Sequence, residues 1–462
     1  MRQRRGGSPK IAAHWVWFAQ RQVWLAATLG LACGSSDPTG NGGAGSGAIE
    51  PIAMASAGTG GTPGVMEPAQ GPATPPPVSG GAGGTEANPE VIGLAGSGGT
   101  PGSAGTPGGA QASAGTGGGP TEVPVPADCD VPPAASPLVG WAAAPGSDLD
   151  TTTGGGNATP QTVTTLEALQ AAVEGDDPAV IFVRGTLTPG DLQIGSNKTI
   201  VGLCGAEIHG HVEIREAQNI IVRNINIVGY GVGDCALDPG FDATVGCSSG
   251  DDAISVQRNA HHVWFDHCSV RDGTDGNLDV SNAANFVTIS WTKFSYTPRT
   301  DLVGDDSTGA AGHRYSNLVG GTDSPSTFDD AAALNVTWHH NWWADNVVER
   351  QPRIRFGQNH LFNNYYNSLT TNYCVRAGID ANILLEGNFF DGVDDPHEFN
   401  NAADELTANI QADDSNVYLN TTSDRSVGGG GPPAPALPYD YAAALEDAAG
   451  IPAAVTSGAG PH

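Results

Sequence analysis

The stretch Asp275-Gly276-Asn277-Leu278-Asp279-Val280 alternates polar and apolar residues. In a strand, side chains at i, i+2 and i+4 share a face, so Asp275, Asn277 and Asp279 are expected to project together while Leu278 and Val280 enter a core. Two carboxylates on one face repel unless a cation lies between them, and hard oxygen ligands at this spacing suit Ca2+. Asp252 comes from an earlier segment, Asp251-Asp252-Ala253-Ile254-Ser255, which stacking of neighbouring strands at about 4.8 Å could bring alongside. A second constellation, Arg350-Gln351-Pro352-Arg353-Ile354-Arg355-Phe356-Gly357, supplies positive charge. Guanidinium groups form bidentate pairs with carboxylates, so an arginine row suits a ligand that carries carboxylates in series. Trp264, Asp266 and His267 invite an acid–base reading. The alternation, however, buries part of that strand.

These residues need elements to position them. From about Ala127 onward, short runs of Val, Ile, Phe, Trp and Thr recur between Asn, Gly and Asp. The runs ending at Asn224, His267, Trp291, His340, Asn364 and Gly387 are separated by about 43, 24, 49, 24 and 23 residues, one or two units of about 24. No helical pattern of comparable length fills the intervals, which disfavours βαβ units. A propeller blade needs about 40 residues and four strands. The expected fold is therefore all-β, a right-handed parallel β-helix whose coils stack as parallel sheets. Asn224, Asn341, Asn363, Asn364 and Asn388 at strand ends suit side chains that bond the backbone at each corner.

Ahead of this lies a segment of different character. Gly is 66 and Pro 33 of 462 residues, and much of the excess falls between Cys33 and Pro126, where large apolar side chains are scarce. Such a stretch cannot bury enough surface to offset chain entropy, so residues 34–126 read as a linker and 127–462 as the catalytic domain. Arg2, Arg4, Arg5, Lys10 and Arg21 precede the apolar run Val23–Ala32, an export signal over residues 1–33. Leu29-Gly30-Leu31-Ala32-Cys33 resembles a lipoprotein cleavage box that departs from the usual pattern at Gly30. Secretion is expected, with a membrane tether through a lipidated Cys33 as one form of it, an outer-membrane lipoprotein. Setting Cys33 aside leaves six cysteines, which permit up to three disulfides. Cys235 and Cys247 bracket a loop-like stretch and are the expected pair, whereas Cys268 sits in an apolar strand pattern as a buried thiol. The formal charge of −30 argues against nucleic acid and anionic membrane as partners.

In order and spacing, the Asp252, Asp275–Val280 and Arg350–Gly357 segments resemble the pectate lyases of polysaccharide lyase family 1. Thr152-Thr153-Gly154-Gly155, Ser196–Gly202 and the C-terminal Pro438–Gly460 resemble its flanking coils. The resemblance implies a monomeric enzyme that cleaves de-esterified polygalacturonate (pectin) by β-elimination. It places Ca2+ on Asp252, Asp275 and Asp279, with Asp251 a doubtful addition. It makes Arg350 the base and Arg355 a ligand for substrate carboxylate, leaves Arg353 structural or peripheral, and gives His267 a structural, hydrogen-bonded role. The family's Lys-x-x-Leu-x-Gly pattern is read here at Arg299-Thr300-Asp301-Leu302-Val303-Gly304, with Arg299 binding substrate in place of Lys. Two other readings remain. Gly250-Asp251-Asp252 superficially resembles a polygalacturonase motif, although His209-Gly210-His211 is out of place for that family and no Arg-Ile-Lys is present. A β-helical carbohydrate-binding or adhesion protein would keep the fold without the chemistry.

Overall fold

The computed structural model describes residues 131–231, 251–298, 314–322, 332–400, 407–423, 425–431 and 435–462. The export signal, the linker, Arg299 and the Cys235–Cys247 pair lie outside these residues. Apart from two short helices, strands dominate. Eight of them form one parallel sheet: β1 Leu192–Ile194, β2 Val212–Arg215, β3 Ile254–Gln257, β4 Gly276–Val280, β5 Tyr315–Val319, β6 Arg353–Ile354, β7 Val375–Ala377 and β8 His397–Phe399, each hydrogen-bonded to the next. The remaining strands join in an 18-stranded sheet with two parallel faces, which meet where Lys198–His209 pairs with both Gln218–Arg223 and Asn226–Val228. Three faces traversed once per coil make a parallel β-helix, as the spacing of about 24 residues predicts.

The core follows from alternation. Val222, Phe265, Ile289, Trp338, Leu361 and Leu385 stand in register on successive coils, and each is essentially fully buried. A second column stacks aromatic rings, with Phe294, Trp343, Tyr366 and Phe390 at centroid separations of 5.5, 4.7 and 4.3 Å. Stacked coils place like residues one strand spacing apart, close to the preferred distance for offset rings.

Corners are held by asparagine. Asn364 Oδ1 accepts from Asn341 N (2.9 Å), Asn388 Oδ1 from Asn364 N (3.0 Å), and Asn416 Oδ1 from Asn388 N (3.1 Å). Each side-chain amide also donates inward to a strand carbonyl, as Asn364 Nδ2 does to Trp338 O (2.9 Å). The corner backbone groups that leave the sheets are thereby satisfied.

Two helices pack on the coils. α1, Leu166–Val173, buries Leu166, Leu169 and Val173, and Thr165 caps it by accepting from Ala168 N (3.2 Å). α2, Ile451–Gly458, seats Ile451 and Val455 against Tyr365, Trp342 and Phe389. On either side of α2 the C-terminal segment is strapped to the large sheet. Tyr439 Oη lies 2.8 Å from Thr337 Oγ1, Tyr441 Oη donates to Glu386 Oε2 (2.8 Å), and His462 N donates to Asn224 Oδ1 (2.8 Å).

Cys268 is a buried free thiol, as its apolar strand pattern predicts. Cys374 is also buried and free, which lowers the expected disulfide count: of the six cysteines only Cys129, Cys204, Cys235 and Cys247 are left to form bridges. Cys204 is bridged, to a partner outside the described residues.

Candidate active site

The acidic and basic segments meet on the outer side of the eight-stranded sheet. Pairing of β3 with β4 sets Asp279 opposite Ser255, and Ala253 N donates to Gly276 O (3.0 Å), so Asp252 lies alongside Gly276. On the other flank, β5 pairs Leu318 with Asp279 and Arg353 with Leu318. One transverse row therefore runs Asp279, Leu318, Arg353, Arg376 and Glu398.

Gly276 is the floor on which the carboxylates meet. A Cβ built there would lie 2.7 Å from Asp252 Oδ1, 3.5 Å from Asp279 Oδ1 and 3.5 Å from Ser316 O. Asp279 Oδ1 accepts from Leu318 N (2.9 Å), and Ser255 Oγ donates to Asp252 Oδ2 (3.3 Å). Asp252 Oδ1 is shielded from solvent and has no hydrogen-bond partner. Buried polar atoms are ordinarily satisfied, so an oxygen left without a donor here fits the placement of a cation. An all-oxygen donor set beside a glycine cradle fits a hard divalent ion such as calcium. Among the described residues, no group of three acidic, histidine or cysteine side chains is close enough to hold a metal on its own. Asp252 and Asp279 are the close pair, and half-buried Asp275 acts on both through its charge.

The electrostatics carry the same message. Burial, then repulsion from Asp279 and Asp275, drives the Asp252 carboxyl well above the usual range, against the pull of Arg350. Burial likewise raises Asp279 to about 7, with Arg350 pulling down and Asp275 pushing up. Burial alone would make Arg350 less basic, but Asp275, Tyr373, Asp279 and Tyr315 outweigh it and hold the guanidinium more firmly cationic. The excess negative charge thus rests on Arg350 when nothing else neutralises it.

Asn277 departs from the expected shared face. It is wholly buried; its Oδ1 accepts from Gly273 N (3.4 Å) and its Nδ2 donates to Ser295 O (3.4 Å). Gly276 takes the place beside the carboxylates instead. Arg355 lies just past β6 rather than in this row; it donates from Nη1 to Gly320 O (2.6 Å), and its charge helps to lower the Asp279 pKa. His267 belongs to the large sheet, with Nδ1 2.9 Å from Asp266 Oδ2 and its ring stacked on Trp291 at 5.6 Å, which is the structural role expected of it. A cleft of about 640 Å³ lined by Arg271, Thr297, Asp345, Asn367 and Asp391 contains none of the predicted site residues.

Two site residues escape the sequence reading. The Leu-Val-Gly among the described residues is Leu318-Val319-Gly320, whose Leu318 and Val319 lie in β5, and the residue three before Leu318 is Tyr315. In the Lys-x-x-Leu-x-Gly pattern, a tyrosine thus occupies the cation position of the strand that pairs with Asp279; Arg299, in the earlier copy, lies outside the described residues. The Arg350 guanidinium carbon sits 4.3 Å from the centre of the Tyr315 ring. Tyr373, 1% exposed, lies under Arg376, whose guanidinium carbon is 3.4 Å from its centre. The signal for Tyr315 was the repetition of Leu-Val-Gly itself; that for Tyr373 was no more than a Tyr three residues before an Arg.

The pectate lyase family's sequence profile matches residues 130–462. A pectate trisaccharide-lyase of Thermotoga maritima is 34% identical over 251 residues, spanning 53% of this chain and 60% of the relative. Pectate lyase A of Aspergillus niger is 32% identical over 309 residues, spanning 64% of this chain and 80% of the relative. In fold, the chain is similar to a Bacillus sp. N165 pectate lyase in complex with trigalacturonate (TM-score 0.52, 23% identity, 70% of this chain and 98% of that one). It is similar also to pectate lyase II of Xanthomonas campestris pv. campestris (TM-score 0.50, 22% identity, 70% and 98%). With the profile covering well over half of its length, the chain belongs to the pectate lyase family.

Proposed function

We propose that this chain is a secreted, calcium-dependent pectate lyase that cleaves de-esterified polygalacturonate by β-elimination and releases 4,5-unsaturated oligogalacturonates. The observation that carries this reading is the opposition of Asp252 and Asp279 across Gly276 beside the guanidinium of Arg350. Asp252 and Asp279 would hold the metal across Gly276, with Asp275 joining them once water or substrate oxygens complete the set, and calcium bound there would supply positive charge against the uronate carboxylate.

The remaining work falls to arginine. Elimination removes the proton on C5, next to the carboxylate; the electron pair forms the C4–C5 double bond, and the C4–oxygen bond breaks. The obstacle is the negative charge the carboxylate already carries. Arg355 and Arg299 orient the uronate and offset the growing charge. Arg350 accepts the C5 proton, and the departing oxygen is protonated by solvent. Asp275 and Asp279 hold Arg350 cationic, so the base form is reached only once a cation neutralises them, and an alkaline optimum follows.

The proposed organisation is an export signal over residues 1–33, with Cys33 as a lipid tether, a linker over 34–126 and a monomeric catalytic domain over 127–462. The test is ultraviolet absorbance of unsaturated uronate, with full-length chain acting on polygalacturonate at alkaline pH, in calcium and in chelator. A calcium-dependent rise is expected. New reducing ends without that absorbance would mean hydrolysis, and neither signal would leave a carbohydrate-binding protein.

A further inference from the structure

Arg350 is poorly held by hydrogen bonds. Its Nε is buried without a partner, and its backbone is left-handed at φ 60°, a conformation that side chains other than glycine adopt at a cost. The backbone around it is fixed: Asn317 N donates to Arg350 O (2.7 Å) and Gln351 N donates to Cys374 O (2.8 Å). Fixing the backbone does not fix a long side chain, which must still be kept from swinging onto Asp275 and Asp279.

What the guanidinium does have is a ring face. Tyr315 stands in register with Gly276 on one side and bridges Glu349 on the other, so its strand runs between the carboxylates and the arginine segment. Tyr296 Oη donates to Tyr315 O (2.7 Å), which pins that strand from the core side. The half-buried Tyr315 ring lies 4.3 Å from the Arg350 guanidinium carbon, well inside the range of cation–π attraction. The same device recurs one coil on, where Arg376 lies over Tyr373 at 3.4 Å.

We propose that Tyr315 is a positioning residue, whose ring face holds the Arg350 guanidinium at a fixed distance from the Asp252–Asp279 pair. At a strand position where the Lys-x-x-Leu-x-Gly pattern supplies a cation, this chain supplies an aromatic platform for a cation from another coil. The role in turnover rests on the lyase reading above; the clamp itself does not.

The decisive experiment needs no substrate. Full-length wild type, Tyr315→Phe and Tyr315→Leu are treated with phenylglyoxal, and the modification rate at each arginine is read by peptide mass spectrometry. Leucine removes the ring, so Arg350 should be labelled on the order of five- to tenfold faster, while phenylalanine keeps the wild-type rate. Unchanged rates at Arg353 and Arg355 show that the sheet is intact; where leucine does not fold, Tyr315→Met gives the same comparison. An Arg350 rate unaltered by loss of the ring overturns the proposal, as does an equal rise in Tyr315→Phe. In the polygalacturonate assay, Tyr315→Leu should lower kcat on the order of tenfold with KM within about twofold, and Tyr315→Phe should restore it. A wild type that yields no unsaturated product would defeat the lyase reading and leave the labelling comparison to decide the clamp.

Discussion

Asp252 and Asp279 belong to different coils, yet an Oδ1 from each lies within 3.5 Å of the point where a Cβ on Gly276 would stand. Glycine is required here for space alone, since its backbone is an ordinary strand conformation. Two carboxylates brought this close are tolerable only with compensation, from Arg350 in the chain itself and, in the proposed function, from calcium.

Gly276→Ala should therefore fill the space that the proposed function gives to calcium, without breaking the strand. A methyl group 2.7 Å from Asp252 Oδ1 forces that carboxylate aside. The calcium concentration for half-maximal activity should rise at least tenfold, on the order of 1.4 kcal/mol. In chelator, the melting temperature should stay near that of wild type. An unchanged calcium requirement would remove Gly276, and the space above it, from the metal site.

Asp279 gives a prediction for the metal-free chain. Its folded pKa of about 7 lies above the ordinary carboxylate value, so the folded state binds the proton more tightly than the unfolded one. The associated stability is fully present below about pH 4 and is lost as pH rises through about 7. Asp279→Asn keeps an oxygen for Leu318 N and carries no charge. In chelator it should match wild type near pH 4 and exceed it at pH 8 by on the order of 2 kcal/mol, measured by denaturant unfolding. Calcium should reverse the order. Parallel stability curves from pH 4 to 8 in chelator would show that Asp279 carries no unfavourable charge.

The coil architecture was legible because its causes are local and repeat. Asn341, Asn364 and Asn388 recur at a steady interval, and each bonds the next. Asn416 extends the ladder after a longer coil, so spacing alone passed over it. Asp252, Asp275 and Asp279 could be grouped because alternation and stacking act at short range. Tyr315 could not be, because Leu302-Val303-Gly304 and Leu318-Val319-Gly320 offer the same local pattern. Only the pairing of Leu318 with Asp279 singles out the second as part of the sheet. Asn277 misled for a related reason: alternation describes an ideal strand, whereas its bonds to Gly273 and Ser295 draw it into the corner before β4.

The asparagine ladder should be a matter of stability alone. Asn364 is fully buried; it accepts from Asn341 and donates to Trp338 O and Asn388 Oδ1. Asn364→Ala leaves those groups unpaired in the core, a loss of about 3 kcal/mol. The melting temperature should drop by several degrees, while kcat and KM well below the transition stay within about twofold of wild type. A kinetic change without a fall in stability would tie this corner to the site.

The proposed function sets Arg350 apart from the neighbouring Arg353. Arg353 is half-buried in register between Leu318 and Arg376, and lysine there keeps the charge and most of the stem. Arg350 lies over an aromatic ring and in the field of two carboxylates, where a planar guanidinium and a compact ammonium are not equivalent. A lysine at 350 would draw closer to Asp275 and Asp279, being a point charge with a smaller head, and would lose the stacked geometry that aims it at substrate. At saturating calcium, Arg350→Lys should lower kcat by at least a hundredfold, the usual worth of a positioned general base. Arg353→Lys should lower it by no more than about threefold. If both variants fell equally, charge on the arginine row would matter and proton transfer at Arg350 would not. If Arg350→Lys kept near-wild-type turnover, the base would have to be sought elsewhere on the sheet.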